Sequence, residues 1–340
     1  MIPKISIIVP FYHVKDYLAQ CVRSLQNQSL QPVEILLVDD GSRDGSGALA
    51  EELACRDDRI RLIHQEHAGL GPARNAGLAL AGGEYVAFVD GDDWVEAAMY
   101  ENLYHVAKTT GAEIVVSGHR DLARGKVLAE YGHPLQGERL SGEALGWARM
   151  RLYGPSPEDS ALPVSVCMSL YRRDWLETRG LRFRNILSED VFFNLDAYGC
   201  ADTVVFTGGT DYCYRKEGQP SITQSFSPEK QARYTEFLGL LLEQAETEGC
   251  ALRAKGTALG IVRMYAGQLL TSGGSGREQK NALKAFLQQP ELRRCREGYP
   301  LAMLPLGQRI FQLLLDYRLY TPALACCRLR QWRKERRWKP

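Results

Sequence analysis

Three carboxylates follow one apolar run and have the spacing to bind a cation. Residues 85–89 are apolar, and Asp90, Asp92 and Asp93 come directly after them. Carboxylates this close repel one another, so a positive charge should lie beside them. Their oxygen atoms suit Mg²⁺ or Mn²⁺ holding a phosphate-bearing substrate, which makes Asp90 and Asp92 candidate metal ligands. The alternative is a solvated acidic turn in which Asp93 caps the next helix.

The apolar run before these acids belongs to a regular alternation of strands and helices. Strand patterns occupy residues 5–9, 33–38, 60–64 and 84–90, and helical spacing occupies residues 16–26, 45–55 and 69–81. Short connections join them. This alternation predicts an α/β fold with a parallel sheet and right-handed crossovers.

The strand ends carry the remaining candidate residues. In such sheets, ligands bind at the carboxyl ends of the strands. The four ends carry Pro10-Phe11-Tyr12, Asp39-Asp40-Gly41, Gln65 with His67, and Asp90-Gly91-Asp92. Arg74, in the first turn of the third helix, can point into the same crevice. An aromatic residue for a base, carboxylates for base and ribose and a cation for phosphate suit a nucleotide diphosphate with a metal.

The sequence excludes two other classes of nucleotide site, and it leaves two interpretations of His67. No Gly-x-Gly-x-x-Gly follows the first strand and no Walker A motif occurs, so neither a dinucleotide fold nor a P-loop fits. His67 can add a polar contact, but a solvated loop histidine is the favoured interpretation.

Several motifs, in order, resemble one enzyme family. They are Val9-Pro10-Phe11-Tyr12, Val38-Asp39-Asp40-Gly41-Ser42, Ala73-Arg74-Asn75-Ala76-Gly77-Leu78 and Phe88-Val89-Asp90-Gly91-Asp92-Asp93-Trp94. Their order and spacing resemble glycosyltransferase family 2, closely over residues 5 to about 115 and loosely to about 225. The resemblance implies a GT-A fold, which is a Rossmann-like, mostly parallel sheet with flanking helices. It also implies a nucleotide-diphospho-sugar donor, a UDP-sugar foremost, and inversion at the anomeric carbon.

The resemblance assigns roles to residues of this sequence. The nucleotide-sugar contacts are Pro10, Phe11, Tyr12, Asp39, Asp40, Arg74, Asp90, Gly91, Arg215 and Lys216. Arg215 and Lys216 lie in a segment that resembles a basic loop covering the diphosphate, and a solvated basic turn is the alternative. The expected cofactor is a divalent metal, Mn²⁺ or Mg²⁺, on Asp90 and Asp92.

Residues 188–190 have two interpretations. Ser188 can cap a helix whose first turn holds Glu189 and Asp190, a favourable position for acids beside the helix dipole. Alternatively, one carboxylate faces the crevice as a general base. The family has a Glu-Asp pair here that supplies the base, so the resemblance implies Asp190 as the base, with Glu189 as runner-up or helper.

The remainder of the chain predicts a helical appendage. We expect a catalytic domain over residues 1–226 and a helical region over residues 227–340, with residues 271–276 as the best linker candidate. Residues 326–340 hold seven Lys and Arg and one Glu, a net charge of 7 − 1 = +6, with Trp332 and Trp338 among them. This pattern suits an interfacial helix on anionic lipid, and a solvated helix end is the alternative. No recognition module suggests nucleic acid.

Composition points to the cytoplasm. The 340 residues carry a net charge of +1, and the nine cysteines are scattered without a Cys-x-x-Cys pair, which favours reduced thiols. The N-terminus runs straight into a strand pattern, so no signal peptide is expected. No apolar run reaches the length of a membrane span. We therefore expect a cytoplasmic protein, peripheral on the inner face of the membrane if the tail binds lipid.

The preferred hypothesis is a glycosyltransferase that acts on a glycan or lipid-linked acceptor. The resemblance implies a role in bacterial cell-surface polysaccharide or glycolipid assembly. A nucleotidyltransferase of the same fold needs a basic, glycine-rich loop after the first strand, where this chain has Val9-Pro10-Phe11-Tyr12-His13. A non-catalytic nucleotide-sugar-binding protein would be favoured by loss of the Asp-x-Asp or of the later acids, and both are present.

Overall fold

The computed structural model describes residues 2–217 and 228–337. Contacts divide the chain into two compact units, Met1–Leu152 with Pro163–Gly218, and Tyr153–Leu162 with Gln219–Pro340. The predicted boundary between residues 226 and 227 lies outside the described residues. The first unit is α/β and carries the predicted site.

The strands of the first unit, in chain order, are β1 (Ile5–Phe11), β2 (Val33–Asp39), β3 (Ile60–His64), β4 (Tyr85–Phe88), β5 (Trp94–Val95), β6 (Ile114–Val116), β7 (His119–Ala123), β8 (Lys126–Tyr131), β9 (Arg139–Leu140), β10 (Ser169–Arg172), β11 (Val204–Phe206) and β12 (Tyr212–Arg215). Its helices are α1 (Lys15–Gln26), α2 (Ser46–Arg56), α3 (Leu70–Leu80), α4 (Met99–Thr110), α5 (Gly142–Met150), α6 (Arg173–Thr178) and α7 (Glu189–Cys200).

The main sheet has the strand order β3-β2-β1-β4-β10-β6-β11-β9. The strand β1 lies between β2 and β4 and is parallel to both, with Ile5 opposite Val33 on one side and Tyr85 on the other. Every residue of β1 is buried, as expected for a central parallel strand covered on both faces. Only β9 and β10 run antiparallel to their described neighbours in this sheet. The mostly parallel α/β sheet that was predicted is confirmed.

A smaller sheet, in the order β5-β12-β7-β8, was not predicted. Residues 118–165 seemed irregular because β7 and β8 are half-exposed and lack a clean apolar period. The sequence predicts a helix over residues 95–109, but Trp94 and Val95 form β5 against β12, and α4 begins at Met99. This pairing brings the end of β12 beside the acidic turn after β4.

The second unit is built from α8 (Pro228–Thr247), α9 (Ala251–Thr271), α10 (Gly276–Leu287), α11 (Pro290–Arg296), α12 (Leu306–Asp316) and α13 (Tyr320–Arg337). Residues 154–160, for which the sequence predicts either a mobile loop beside the acceptor or a plain surface connection, lie within Tyr153–Leu162 of this unit, where Asp159 pairs with Arg253 of α9. The predicted linker at residues 271–276 joins α9 to α10 inside the unit, and Ser275 caps α10. No described helix has the length and apolar character needed to cross a membrane.

Candidate functional site

The acidic turn after β4 is fixed against the end of β1. The Asp93 N–H donates to the Asp90 carbonyl at 3.0 Å, and the Gly91 N–H donates to the Pro10 carbonyl at 3.3 Å. A β-carbon at Gly91 would lie 2.8 Å from Cβ of Phe11, so only glycine fits at this crossing. The turn thereby holds Asp90 and Asp92 at the carboxyl end of the central strands.

Asp93 is a structural residue of this turn. Its carboxylate is 1% exposed and accepts hydrogen bonds from the Tyr212 hydroxyl at 2.7 Å and the Arg215 N–H at 2.8 Å. The alternative that Asp93 caps the next helix is wrong, because α4 starts six residues later, at Met99. Asp93 instead ties β12 to the turn that presents Asp92.

Asp92 is left with excess negative charge. Burial, together with the neighbouring charge of Asp90, raises the pKa of Asp92 to about 6, while a main-chain hydrogen bond and Arg215 act in the opposite direction. The described residues provide no ion pair to its carboxylate. A carboxylate in this setting is stabilised by any cation that reaches it.

One buried guanidinium joins this turn to the Glu189-Asp190 pair. The Arg74 side chain is 1% exposed, and its Nη2 lies 3.0 Å from Asp90 Oδ1. Its Nη1 lies 2.6 Å from Glu189 Oε1 and also bonds Asp190 Oδ1. Two acidic motifs separated by about a hundred residues therefore share one arginine. Three carboxylates and one guanidinium leave the cluster negative, and the predicted contact of Arg74 with phosphate stays a prediction.

Asp190 is held from two sides at the start of α7. Its Oδ1 bonds Arg74, its Oδ2 accepts the Val166 N–H at 3.2 Å, and its side chain keeps 17% exposure. Burial, together with the charges of Glu189 and Asp90, raises the pKa of Asp190 to about 7, although Arg74 lowers it. A carboxylate with that pKa can accept a proton near neutral pH.

The N-terminal capping interpretation of Ser188 needs correction. Ser188 does occupy the capping position of α7, but its φ is 58° and its side chain makes no capping hydrogen bond. Glu189 and Asp190 both lie in the first turn of the helix, where the dipole favours acids. The helix start therefore serves to place the acids beside Arg74.

The acids after β2 are bonded differently. Both Asp39 and Asp40 are 4% exposed. Asp40 accepts hydrogen bonds from the main-chain N–H groups of Ala68 and Gly69, each at 2.9 Å, and from Gln65 Nε2 at 2.7 Å. These contacts fold the β3–α3 loop back over the end of β2. Asp39 accepts the Ser42 N–H at 2.9 Å and lies 3.2 Å from His64 Nδ1.

Tyr12 lies in an aromatic stack at the end of β1. Its ring is 41% exposed and stacks against His13, with centroids 3.9 Å apart, and against His67, at 4.2 Å. His67 is therefore more than the solvated loop histidine that was predicted, since its Nδ1 also lies 2.8 Å from Asp40 Oδ2. Pro10 and Phe11, which precede Tyr12, are buried in β1.

Arg215 and Lys216 are not a solvated basic turn. Arg215 donates from Nε to the Asp92 carbonyl at 2.7 Å and lies over the rings of Trp94 and Tyr17. Lys216 Nζ lies 3.2 Å from Asp121 Oδ1. Both cations have protein partners, and their role toward a diphosphate stays a prediction.

A comparison with family models identifies the protein family. The model for glycosyl transferase family 2 matches residues 6–180, which is more than half of the chain. The chain belongs to glycosyl transferase family 2. The resemblance found from its motifs is thereby confirmed, and the match contains β1 to α6 with the acidic turns and Arg74.

Curated family members are similar over the same part. The chain is 38% identical over 227 residues to the uncharacterized glycosyltransferase EpsJ of Bacillus subtilis, covering 66% of this chain and 64% of EpsJ. It is 32% identical over 215 residues to the cholesterol galactosyltransferase of Borreliella burgdorferi, covering 62% and 59%. The chain thus spans less than two thirds of the length of these relatives.

Solved structures share the fold at low identity. S. aureus TarS residues 1–349, in complex with UDP-GlcNAc, match with a TM-score of 0.58 and 18% identity, covering 96% of this chain and 92% of that one. The mannosyltransferase PcManGT of Pyrobaculum calidifontis, in complex with GDP-Man and Mn²⁺, matches with a TM-score of 0.51 and 16% identity, covering 95% and 86%. These matches confirm the predicted GT-A fold with a helical C-terminal region.

The acids after β4 offer only part of the ligand set of the divalent metal that the resemblance implies. Within residues 2–217 and 228–337, no three His, Cys, Asp or Glu side chains are grouped so that they could hold a metal by themselves. Asp92, whose charge is uncompensated, and Asp90 fit a Mg²⁺- or Mn²⁺-type site in which substrate phosphates and water complete the shell. The residues present therefore fit a metal that arrives with its diphosphate.

Sequence reasoning missed two contributors to the site. Val166 acts on Asp190 through its main-chain N–H, and no side-chain signal reveals such a contact. Tyr212 was noted only as part of a segment, whereas its hydroxyl bonds Asp93 and lies 3.4 Å from the Asp90 nitrogen. Only the pairing of β12 with β5 brings it there.

Proposed function

We propose that this chain is an inverting, metal-dependent glycosyltransferase that moves a sugar from a nucleotide-diphospho-sugar to an acceptor hydroxyl. The observation that carries the proposal is the Arg74 cluster. It joins Asp90, in the turn suited to a metal and diphosphate, to Asp190, suited to act as a base. Membership of glycosyl transferase family 2 supports the same reaction.

The donor end of the site is formed by three strand ends. Tyr12 flanks the base, and Asp39 accepts a hydrogen bond from base or ribose, while Asp40 holds the β3–α3 loop at the same strand end. Asp90 and Asp92 would hold the metal, which would supply positive charge to the departing diphosphate. TarS is known in complex with UDP-GlcNAc and PcManGT in complex with GDP-Man, which supports a nucleotide-sugar donor, with a UDP-sugar as first choice.

The acceptor end is organised by Asp190. Its carboxylate takes the proton as the acceptor hydroxyl attacks the anomeric carbon from the face opposite the diphosphate, which inverts the configuration. The Val166 N–H and Arg74 fix the direction of the carboxylate. A pKa of about 7 leaves a useful fraction of Asp190 ionised at neutral pH while keeping it basic enough to accept the proton.

The acceptor we propose is a glycan or lipid-linked hydroxyl in bacterial cell-surface polysaccharide or glycolipid assembly. A lipid acceptor is supported by one relative, which is named a cholesterol galactosyltransferase. We also propose that the enzyme works at the inner face of the membrane, with the basic residues of the C-terminal tail near anionic lipid.

A donor panel tests the proposal. The purified chain is incubated with UDP- and GDP-sugars and with glycan or lipid-linked acceptors, with and without Mn²⁺. We expect release of nucleoside diphosphate only with metal, and a product whose anomeric configuration, read by NMR, is opposite to that of the donor. The Asp190→Asn variant serves as the control for background hydrolysis.

Two results would contradict the proposal. Formation of pyrophosphate from a nucleoside triphosphate and a sugar 1-phosphate would indicate a nucleotidyltransferase. Metal-dependent binding of donors, without turnover for any acceptor in the panel, would favour a non-catalytic binding protein.

A further inference from the structure

Helix α12 of the helical unit has apolar residues on two faces. One face is packed inside the unit, where Phe311 is 2% and Leu315 3% exposed. The other face is open to solvent. Its members, which we call the α12 stripe, are Leu306 at 72%, Ile310 at 43%, Leu313 at 38% and Tyr317, just after the last helical residue, at 75% exposure.

The stripe is regular and lies opposite the packed face. Successive helical residues are about 100° apart, so the spacing 306, 310, 313, 317 keeps the four side chains within about 60° of one another around the helix. Phe311 and Leu315 lie on the far side. The stripe runs for about 16 Å along the helix. Isolated apolar residues on a surface need no explanation, but a continuous stripe indicates a partner.

The charges of α12 and of the residues that follow it in the chain indicate the chemistry of that partner. Residues 306–330 contain four arginines and one acid, a net charge of 4 − 1 = +3. Arg309, Arg318, Arg328 and Arg330 are all exposed. The single acid, Asp316, is paired with Arg296 of α11. Two further exposed leucines, Leu319 at 47% and Leu329 at 50%, lie among these arginines.

We propose that α12 docks on an anionic lipid membrane, with the stripe in the boundary between headgroups and acyl chains and the arginines on lipid phosphates. Apolar residues on one side of a helix, with cations beside them, suit a helix lying in the plane of the interface. A second copy of the chain fits less well, because face-to-face pairing would bring the arginines of both copies together. The anchor thus starts with α12, twenty residues before the basic tail.

The test uses sedimentation of the full chain with vesicles and does not depend on turnover. The vesicles contain phosphatidylcholine alone or phosphatidylcholine with phosphatidylglycerol. The test variant is Ile310→Gln with Leu313→Gln. The matched control is Leu80→Gln with Leu240→Gln, which removes leucines of nearly equal exposure, 43% and 39%, outside α12. Circular dichroism and the melting temperature establish that both variants fold.

We expect wild type and control to sediment with phosphatidylglycerol vesicles and the stripe variant to bind at least about tenfold more weakly. The two apolar side chains would be buried in the lipid on binding, and losing that burial accounts for the change. Arg309→Gln with Arg318→Gln should weaken binding to phosphatidylglycerol vesicles, and the remaining binding should depend less strongly on salt concentration.

Three outcomes would overturn the proposal. The first is that the wild type does not sediment with phosphatidylglycerol vesicles, and the second is that the stripe variant sediments as the wild type does. In the third, analytical ultracentrifugation finds the wild type dimeric and the stripe variant monomeric with vesicle binding unchanged, which would assign the stripe to a second copy.

Discussion

Two acidic strand ends flank β1, and their carboxylates have different hydrogen-bond and ion-pair partners. After β2, Asp40 receives two main-chain N–H groups and a glutamine amide and is 4% exposed. After β4, Asp90 shares one arginine with two other acids, and Asp92 has no ion pair among the described residues. Both motifs follow a buried strand, so the local sequence does not distinguish them.

The difference lies in where the following chain goes. The β3–α3 loop folds back onto Asp40, so the protein itself satisfies that carboxylate. The chain after Asp92 instead leaves as β5 toward β12, and Arg215 contacts the main chain of Asp92. One acidic end is therefore satisfied by the protein's own donors, and the other is an anionic site suited to a cation.

The largest expected effect is catalytic and concerns Asp190, which shares Arg74 with the acidic end after β4. Asp190→Asn keeps the shape of the side chain but cannot accept a proton, so transfer should fall by about 10² to 10⁴. Glu189→Gln, the matched variant beside it, should cost less, because successive side chains of a helix point about 100° apart. Turnover and donor affinity are measured for both variants.

The pair of variants also decides the assignment within Glu189 and Asp190. A larger loss in Glu189→Gln would make Glu189 the base. Small losses of melting temperature with full activity in both variants would place the base elsewhere.

The next effect concerns the stability of the Arg74 cluster. Arg74→Met leaves three carboxylates without their cation in a buried site, and the free energy of unfolding should fall by about 3 to 5 kcal/mol. Adding Asp190→Asn to that variant should recover part of the loss, since one uncompensated charge is removed. Arg184→Met is the control, because Arg184 pairs with Asp196 at a 42% exposed position and should cost less than about 1 kcal/mol. Urea unfolding measures all three; equal losses for Arg74 and Arg184 would contradict the buried cluster.

The central fold could be predicted because it rests on short-range patterns. The residues of β3 are as predicted, and α1, β2 and α3 differ by one or two residues at their ends. Apolar runs and helical periods are local signals. The small second sheet could not be predicted, because β5 and β12 are joined by pairing across more than a hundred residues, and β7 and β8 are half-exposed.

In the site, too, local signals could be predicted and contacts between distant residues could not. The residue types at the strand ends were visible in the sequence, and the parallel sheet brings them to one edge. The partners were not visible. Nothing local indicates that Arg74 bonds Asp190, that a main-chain N–H of Val166 holds that carboxylate, or that Arg215 is packed between aromatic rings.

A smaller effect tests the metal at the second acidic end. Asp92→Ala should weaken Mn²⁺-dependent binding of uridine diphosphate by at least about tenfold, because one of two carboxylates offered to the metal is lost. Calorimetry with and without Mn²⁺ is the measurement, and wild type in a chelator is the control for binding without metal. Undiminished metal-dependent binding in the variant would remove Asp92 from the metal site.

The smallest effects should have opposite signs at the two ends. At pH 7.5 without metal, Asp40→Asn should destabilise the fold by about 1 to 3 kcal/mol, because buried donors lose a charged acceptor. Asp92→Asn should stabilise it by roughly 1 to 3 kcal/mol, since one pKa unit corresponds to about 1.4 kcal/mol.

The pH dependence follows from the raised pKa of Asp92. The pKa of Asp92 rises from 3.8 to about 6 on folding, so the folded state binds its proton more tightly than the unfolded state does. The contribution of Asp92 to the free energy of unfolding is fully present below about pH 4, and it is lost as the pH rises toward 6. The advantage of Asp92→Asn should therefore appear between pH 4 and 6 and vanish in acid. Melting temperatures over that range provide the measurement. A uniform change at every pH, or equal signs for the two variants, would mean that the two acidic ends are electrostatically alike.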